Sequence, residues 1–301
     1  ARHDDVNRLK ALHLTLADID AVDEEGQTAL MAACLSGAAQ SVRLLLSPTF
    51  GADPAVGEME GYLPMDGAAF GGHPDVVVAL LEAGLAADTP HEHDQLTPLW
   101  RTTWLDGEAG QSHHYEAAAR LIEQGGADPN YLLPEGVHDH VGEAHTPLQS
   151  AVVHGQTEML RLFLESMPAG EGGNGDDGSS MADGGSMTDA AGKAHRSIAT
   201  RAEAVNLAPP PHKWSSLHLA MAALSDNSAD REVTAAIVAE LIVAGGDLAQ
   251  ENAVGKTPLE MAEEAVGKGR EGPSTFPTTA AAWVEKLTGA VPEEARERFG
   301  Y

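Results

Sequence analysis

Cysteine is almost missing from this chain. Cys34 is the only one in 301 residues, which excludes an internal disulfide framework and a thiolate metal cluster and fits a reducing compartment. Basic residues are also scarce. Against 46 Asp+Glu there are 18 Lys+Arg, a formal net charge of -28, and a field of that sign repels phosphate backbones and anionic lipid headgroups. Nucleic acid is therefore excluded as a partner, and another protein with a basic or mixed apolar and basic surface is favoured, while the acidity also keeps an extended molecule dispersed. No hydrophobic run approaches the roughly 20 residues of a membrane span, so direct membrane insertion is not expected. An intracellular reducing compartment is expected: cytoplasm, nucleus or organelle stroma. The chain starts at Ala1 with no signal-like stretch, which leaves room for a targeting peptide already removed. Aromatic residues make up only 4%, so each one placed away from a core position is informative.

What the chain does have is self-similarity. Thr-Pro-Leu opens a short Ala-rich stretch, a Gly follows, and then a Leu/Val-rich stretch. Clear copies open at Thr97-Pro98-Leu99, Thr146-Pro147-Leu148 and Thr257-Pro258-Leu259; weaker ones open at Thr28-Ala29-Leu30, Leu63-Pro64-Met65 and Ser215-Ser216-Leu217-His218. Each part has a mechanical reason. Thr or Ser accepts a bond from an orphan amide at a helix start, Pro brings helical φ and no N–H to strand, and Leu makes the first core contact. Small residues such as Ala32-Ala33-Cys34 and Gly67-Ala68-Ala69 let this helix lie close to its neighbours, which makes Cys34 a buried small residue. Gly37, Gly72 and Gly155 end it. Val76-Val77-Leu80-Leu81 and Met159-Leu160-Phe163 form the apolar stripe of a second helix. Gly51-Ala52-Asp53-Pro54 and Gly126-Ala127-Asp128-Pro129-Asn130 supply a glycine stop and an Asx turn.

With Gly72-His73-Pro74-Asp75-Val76-Val77 and Ser216-Leu217-His218-Leu219-Ala220 added, the sequence resembles the ankyrin-repeat family over about residues 4 to 265. The resemblance implies an all-α solenoid of about six repeats whose hairpin fingers project beside a concave face. Asp4 to Lys10 resembles the second half of a preceding repeat and serves as an N-terminal half-repeat cap. The Ala-rich tail, with Trp283, Val284 and Leu287 on one helical face, serves as a C-terminal helical cap.

The openings are spaced 35, 34, 49, 69 and 42 residues apart, against about 33 for an unadorned ankyrin unit, so long insertions interrupt the later repeats. The expected organisation is a cap with repeats one to four over 1–167, a Gly/Ser/Asp-rich insertion and long finger over 168–212, repeats five and six over 213–270, and the cap over 271–301.

No nucleophile, base and orienting group share a motif, and no Gly-rich phosphate cradle precedes a helix. The chain is therefore read as a non-catalytic interaction scaffold or adaptor, or a structural subunit of a larger assembly, without a cofactor. Ankyrin proteins bind through fingers and exposed first-helix positions. Those positions here include Met59, Tyr62, His93, Leu96, His145 and Trp214 on the fingers, and Phe70 and Trp104 on first helices. Repeat three breaks the pattern with Trp100 in place of His, Arg101 in place of an apolar residue and Thr102-Thr103 in place of Ala-Ala, and the interface is centred there, with Trp100, Arg101 and Trp104 as anchors. The alternative function is divalent-metal binding through His91, His93, His138 and His140, since alternate residues on a strand face one side.

Overall fold

The computed structural model describes residues 18–24, 26–104, 111–134, 144–168, 200–225 and 231–267, and every regular element among them is a helix. His138, His140, most of the expected 168–212 insertion, the N-terminal half-repeat and the tail lie outside the described residues. Two compact units divide the chain, residues 1–139 and 140–301.

Each of the six opening signatures starts a helix. In the first unit these are α1 (Ala29–Leu35), α3 (Pro64–Phe70) and α5 (Pro98–Arg101), paired with α2 (Ala39–Leu45), α4 (Pro74–Glu82) and α6 (Gln111–Glu123). The second unit holds α7 (Pro147–Val153), α8 (Thr157–Ser166), α9 (Arg201–Val205), α10 (Ser216–Ser225), α11 (Arg231–Val243) and α12 (Pro258–Gly267). Three openings work as their chemistry requires: the hydroxyls of Thr28, Thr146 and Thr257 accept from the amides of Met31, Gln149 and Glu260 at 3.1, 3.1 and 3.2 Å. Helix α5 is a single turn. The hydroxyls of Thr102 and Thr103 donate back to the carbonyls of Leu99 and Trp100 at 2.7 and 2.8 Å, and such local bonds compete with helix propagation.

Within each unit, first helices pack on first helices and second helices on second. Thus α1 lies against α3 and α3 against α5, while α2 lies against α4 and α4 against α6; α7, α10 and α12 form the corresponding row in the second unit, with α8 against α11. Leu30, Val42, Leu45, Val76, Val77, Leu80, Leu99 and Leu121 fill the first core; Leu148, Leu160, Phe163, Leu217, Val238 and Leu241 fill the second. Cys34 is fully enclosed. Burial pushes its thiol up to about 12, so it is inert at neutral pH.

Polar side chains join successive repeats. His73 Nε2 donates to the Leu35 carbonyl at 3.0 Å, and His114 Nε2 to the Phe70 carbonyl at 2.8 Å. Each imidazole thereby satisfies the end of the preceding first helix. Gly37 and Gly72, at φ 71° and 62°, are required twice over, because a Cβ at either would also strike the His73 or His114 ring. A second ladder runs along the finger bases. Asp20 Oδ1, Asp88 Oδ2 and Asn206 Oδ1 accept from the amides of Asp53, Asp128 and Asp247 at 3.0, 2.9 and 2.7 Å.

The sequence reading extends the insertion from Pro168 to His212, whereas the packed chain resumes at Thr200. The Arg201 amide donates to the Pro168 carbonyl at 3.2 Å, and Arg201 Nε to the Met167 carbonyl at 3.1 Å. A reciprocal capping box of Thr200 and Glu203 starts α9, and Asn206 then takes the place that Asp20 and Asp88 hold elsewhere.

Asp88 carries a cost within its ladder. Burial pushes its carboxyl from 3.8 up to about 7, the Asp128 amide opposing this and the Asp128 charge adding to it. A carboxyl with a folded-state pKa above its unfolded value holds its proton more tightly when folded, so its contribution falls as pH rises between the two values and is flat above them. Asp88→Asn keeps an oxygen for the Asp128 amide and removes this loss. The variant's stability advantage over wild type should be small near pH 4, should grow through pH 7 and should exceed about 1 kcal/mol at pH 8, as read by urea unfolding at each pH.

Candidate protein-binding site

In five of the six repeats, the fourth residue of the opening signature is polar or aromatic, and its chemistry decides how the finger is tied. In repeat five it is His218, which accepts the Ser215 amide on Nδ1 at 3.2 Å and donates from Nε2 to the Lys256 carbonyl of the next finger at 3.0 Å. Burial depresses its pKa, which suits a neutral ring with one donor and one acceptor. Gln149 does the same work in repeat four: Oε1 accepts from the His145 amide at 2.9 Å, and Nε2 donates to the Leu207 carbonyl at 3.0 Å.

Repeat two has Asp66 at that position. Its Oδ2 accepts the Leu63 amide at 3.0 Å, but a carboxylate has nothing to donate to the next finger. The bond is made in the opposite direction instead. His91, on the finger of repeat three, donates from Nε2 to the Glu60 carbonyl at 2.9 Å, and its Nδ1 lies 2.9 Å from Asp94 Oδ1.

Arg101 completes the arrangement. It is 2% exposed, and its Nη2 donates to both oxygens of Asp94, at 2.9 and 2.8 Å. Its Nε stands 3.8 Å from Asp66 Oδ1. The guanidinium carbon lies 4.8 Å from the Tyr62 ring centroid and 4.6 Å from that of Trp104, both within cation–π range. Tyr62 in turn stacks on His91 at 4.3 Å. Burial pushes the Asp66 carboxyl up to about 6, against the Leu63 amide and the Arg101 charge. Burial also raises Asp94, but there the Leu96 amide and Arg101 prevail and hold it below the usual carboxylate range. Asp66 Oδ1 and Arg101 Nε and Nη1 are buried with no hydrogen-bond partner among protein atoms.

Beside this network lies a cleft of about 250 Å³, lined by Met31, Leu35, Glu58, Tyr62, Asp66, Gly67, Phe70, Arg101 and Trp104. Gly67 lets α3 lie close to α1 beside it, since a Cβ there would press on Met31 Sδ at 3.0 Å and the Leu35 side chain at 3.3 Å.

Of the residues expected at the interface, Met59 is 78% and Phe70 50% exposed. His93 is exposed, and Tyr62, Trp104 and Trp214 are half-buried. Tyr62, Phe70, Arg101 and Trp104 meet at one cleft, whereas Trp214 belongs to the other unit. Leu96, Trp100 and His145 are buried and offer no surface to a partner: Trp100 takes the inward-facing signature position, and Leu96 and His145 lie where their fingers turn into the first helix. Arg101 lines the cleft but is only 2% exposed. Among the metal candidates, His91 has both ring nitrogens engaged and His93 sits edge-on to it at 5.6 Å. Among the described residues no group of three or more His, Cys, Asp or Glu is placed to hold a metal. Asp66 escaped the sequence reading, as did the pairing of Asp94, a finger residue of repeat three, with Arg101. The signal available was a buried-position acid, Asp66, one repeat before a buried-position base, Arg101.

A family model described as ankyrin repeats (3 copies) matches residues 1–93. These are ankyrin repeats. Two curated relatives from Danio rerio, Notch-regulated ankyrin repeat-containing proteins A and B, are 39% and 38% identical over 64 residues, which is 21% of this chain and 55% and 56% of theirs. The chain thus spans about half the length of the curated relatives it matches. Among solved structures, the ankyrin repeat domain of Bcl-3, described as a unique member of the IkappaB protein family, superposes with a TM-score of 0.59 at 20% identity, covering 93% of this chain and 92% of that one. The human ASB11 ankyrin repeat domain gives 0.56 at 18% identity, covering 90% and 96%. At such identities the likeness carries the all-α ankyrin fold alone. Ankyrin repeats are protein-interaction modules. Among the described residues no helix is long and apolar enough to cross a membrane.

The buried ion pair should dominate over surface pairs in stability. Arg101→Met leaves Asp94 and Asp66 facing no cation, which should cost about 3 kcal/mol. Arg43 and Glu82 are 3.4 Å apart but 46% and 62% exposed, and Arg43→Ala should cost less than about 1 kcal/mol. Urea unfolding of the two variants measures the difference directly.

Proposed function

We propose that this chain is a non-catalytic protein-interaction scaffold or adaptor, within which a structural role in a larger assembly also falls, and that it binds through its fingers and first-helix faces. The observation that carries the reading is the open cleft of the first unit. Ankyrin helices bury what stacking requires, yet Tyr62, Phe70 and Trp104 are left partly uncovered around one hollow in a chain with few aromatics. Exposed rings of this kind supply much of the binding energy of protein interfaces. The acidity favours a partner with a basic or mixed apolar and basic surface, reached by electrostatic steering. A reducing intracellular compartment suits a chain whose one thiol is buried and inert. Ser215 Oγ does lie 2.8 Å from His218 Nδ1, but both residues are fully buried within the stack, where the pair ties a finger and meets no substrate.

Affinity capture with the immobilised chain tests this. Phe70→Glu alters a half-exposed side chain and should leave the melting curve unchanged. It should abolish capture of specifically retained proteins, a loss on the order of 2 kcal/mol or more. Trp214→Ala tests the second unit separately. An identical set of captured proteins from wild type and both variants would reject the reading.

A further inference from the structure

We infer that the cleft of the first unit takes one large uncharged apolar side chain from a partner segment that carries Lys or Arg beside it. This deepens the protein-binding reading above and rests on it.

The size of the cleft sets the first limit. About 250 Å³ accommodates a single large side chain and not a helix face. The lining sets the chemistry, since Met31, Leu35 and Phe70 present hydrocarbon and Gly67 adds no side chain. Tyr62 and Trp104 would ordinarily suit a cation held against their faces. Here that role is already filled from within, because Arg101 lies over both rings. A second cation against those two rings would meet a like charge, and the ring that remains, Phe70, is the weakest of the three aromatic types at holding a cation. The anchor is therefore neutral.

The acidic residues point the other way. Glu58 lines the cleft, and Glu60 and Glu92 are exposed on the two neighbouring fingers, in a chain of net charge -28. Basic residues flanking the anchor complement these carboxylates, whereas acidic ones are repelled.

The buried polar atoms explain why an apolar guest fits. Asp66 Oδ1 and Arg101 Nε and Nη1 already lack both solvent contact and hydrogen-bond partners. Filling the cleft strips no further hydration from them, and removing nearby water strengthens the attraction between the two side chains. The desolvation cost that normally opposes covering an ion pair is thus already met in the free protein.

The test is selection of a random peptide library against the whole chain, followed by fluorescence anisotropy of individual selected peptides. The expected peptides share one Leu, Ile, Met, Phe or Trp whose replacement by Ala weakens binding at least about tenfold, with Lys or Arg within two positions. Phe70→Glu should abolish their binding. Glu58→Lys leaves the apolar lining intact and should selectively penalise the peptides richest in basic residues, with the effect shrinking as salt is raised.

Four outcomes would overturn the inference: no enrichment, an intolerant position that is Lys or methylated Lys, binding indifferent to both variants, or a self-associated chain that Phe70→Glu converts to monomer, which would assign the cleft to a second copy. If proteins are still captured while the peptides ignore the cleft, the scaffold reading stands and this inference alone falls. Loss of both results would remove the scaffold reading as well.

Discussion

A helix of seven residues cannot satisfy its own ends, and most of this structure answers that constraint. Helices α1, α3 and α7 are each seven residues long, well below the roughly 12 to 15 at which isolated helices become marginal in water. The last four carbonyls of any helix lack intrahelical partners. For α1 and α3 one of those partners comes from the following repeat, as the imidazoles of His73 and His114. A repeat here is folded only in company. The positive-φ glycines, the small residues on first helices and the Asp and Asn ladder at the finger bases all serve close approach between neighbours.

The parts of the fold that depend on local backbone chemistry were legible in the sequence. Thr28, Thr146 and Thr257 cap helices because a hydroxyl at that place has one obvious bond to accept, and Gly37, Gly72 and Gly155 adopt the left-handed conformation that ends them. Cys34 was placed correctly among small buried residues. What the sequence hid were contacts between residues from different repeats. His91 was a candidate metal ligand, yet its ring is committed to the Glu60 carbonyl 31 residues away, and His114 reaches the Phe70 carbonyl across 44. Helix α9 was concealed in the expected insertion because its five residues are too few for a visible period, and only Thr200 and Glu203 mark it.

Repeat three shows why pattern-breaking residues need their neighbours to be understood. Arg101 in an apolar position reads, by itself, as either decay or a binding feature. Its Asp66 and Asp94 partners make it one member of a compensated set, and that set is inseparable from the loss of the usual His in repeat two. With Asp66 there, the finger bond comes from His91, and Asp94 lies between His91 and Arg101. The hollow beside them shares these neighbours: Gly67 lies too close to Met31 and Leu35 to carry a Cβ without crowding, α5 stops after a turn, and Trp104 is left beside the guanidinium. The site is thus a local rearrangement of a stacking scaffold in which the stacking itself is preserved.

The junction at Pro168 and Arg201 has a consequence for how the chain can vary. The backbone leaves and returns through one hydrogen bond of 3.2 Å, and the entropic cost of closing an excursion rises only by about 0.6 kcal/mol for each doubling of its length. On chain closure alone, a change in the length of what lies between those two anchor points therefore costs α8 and α9 little.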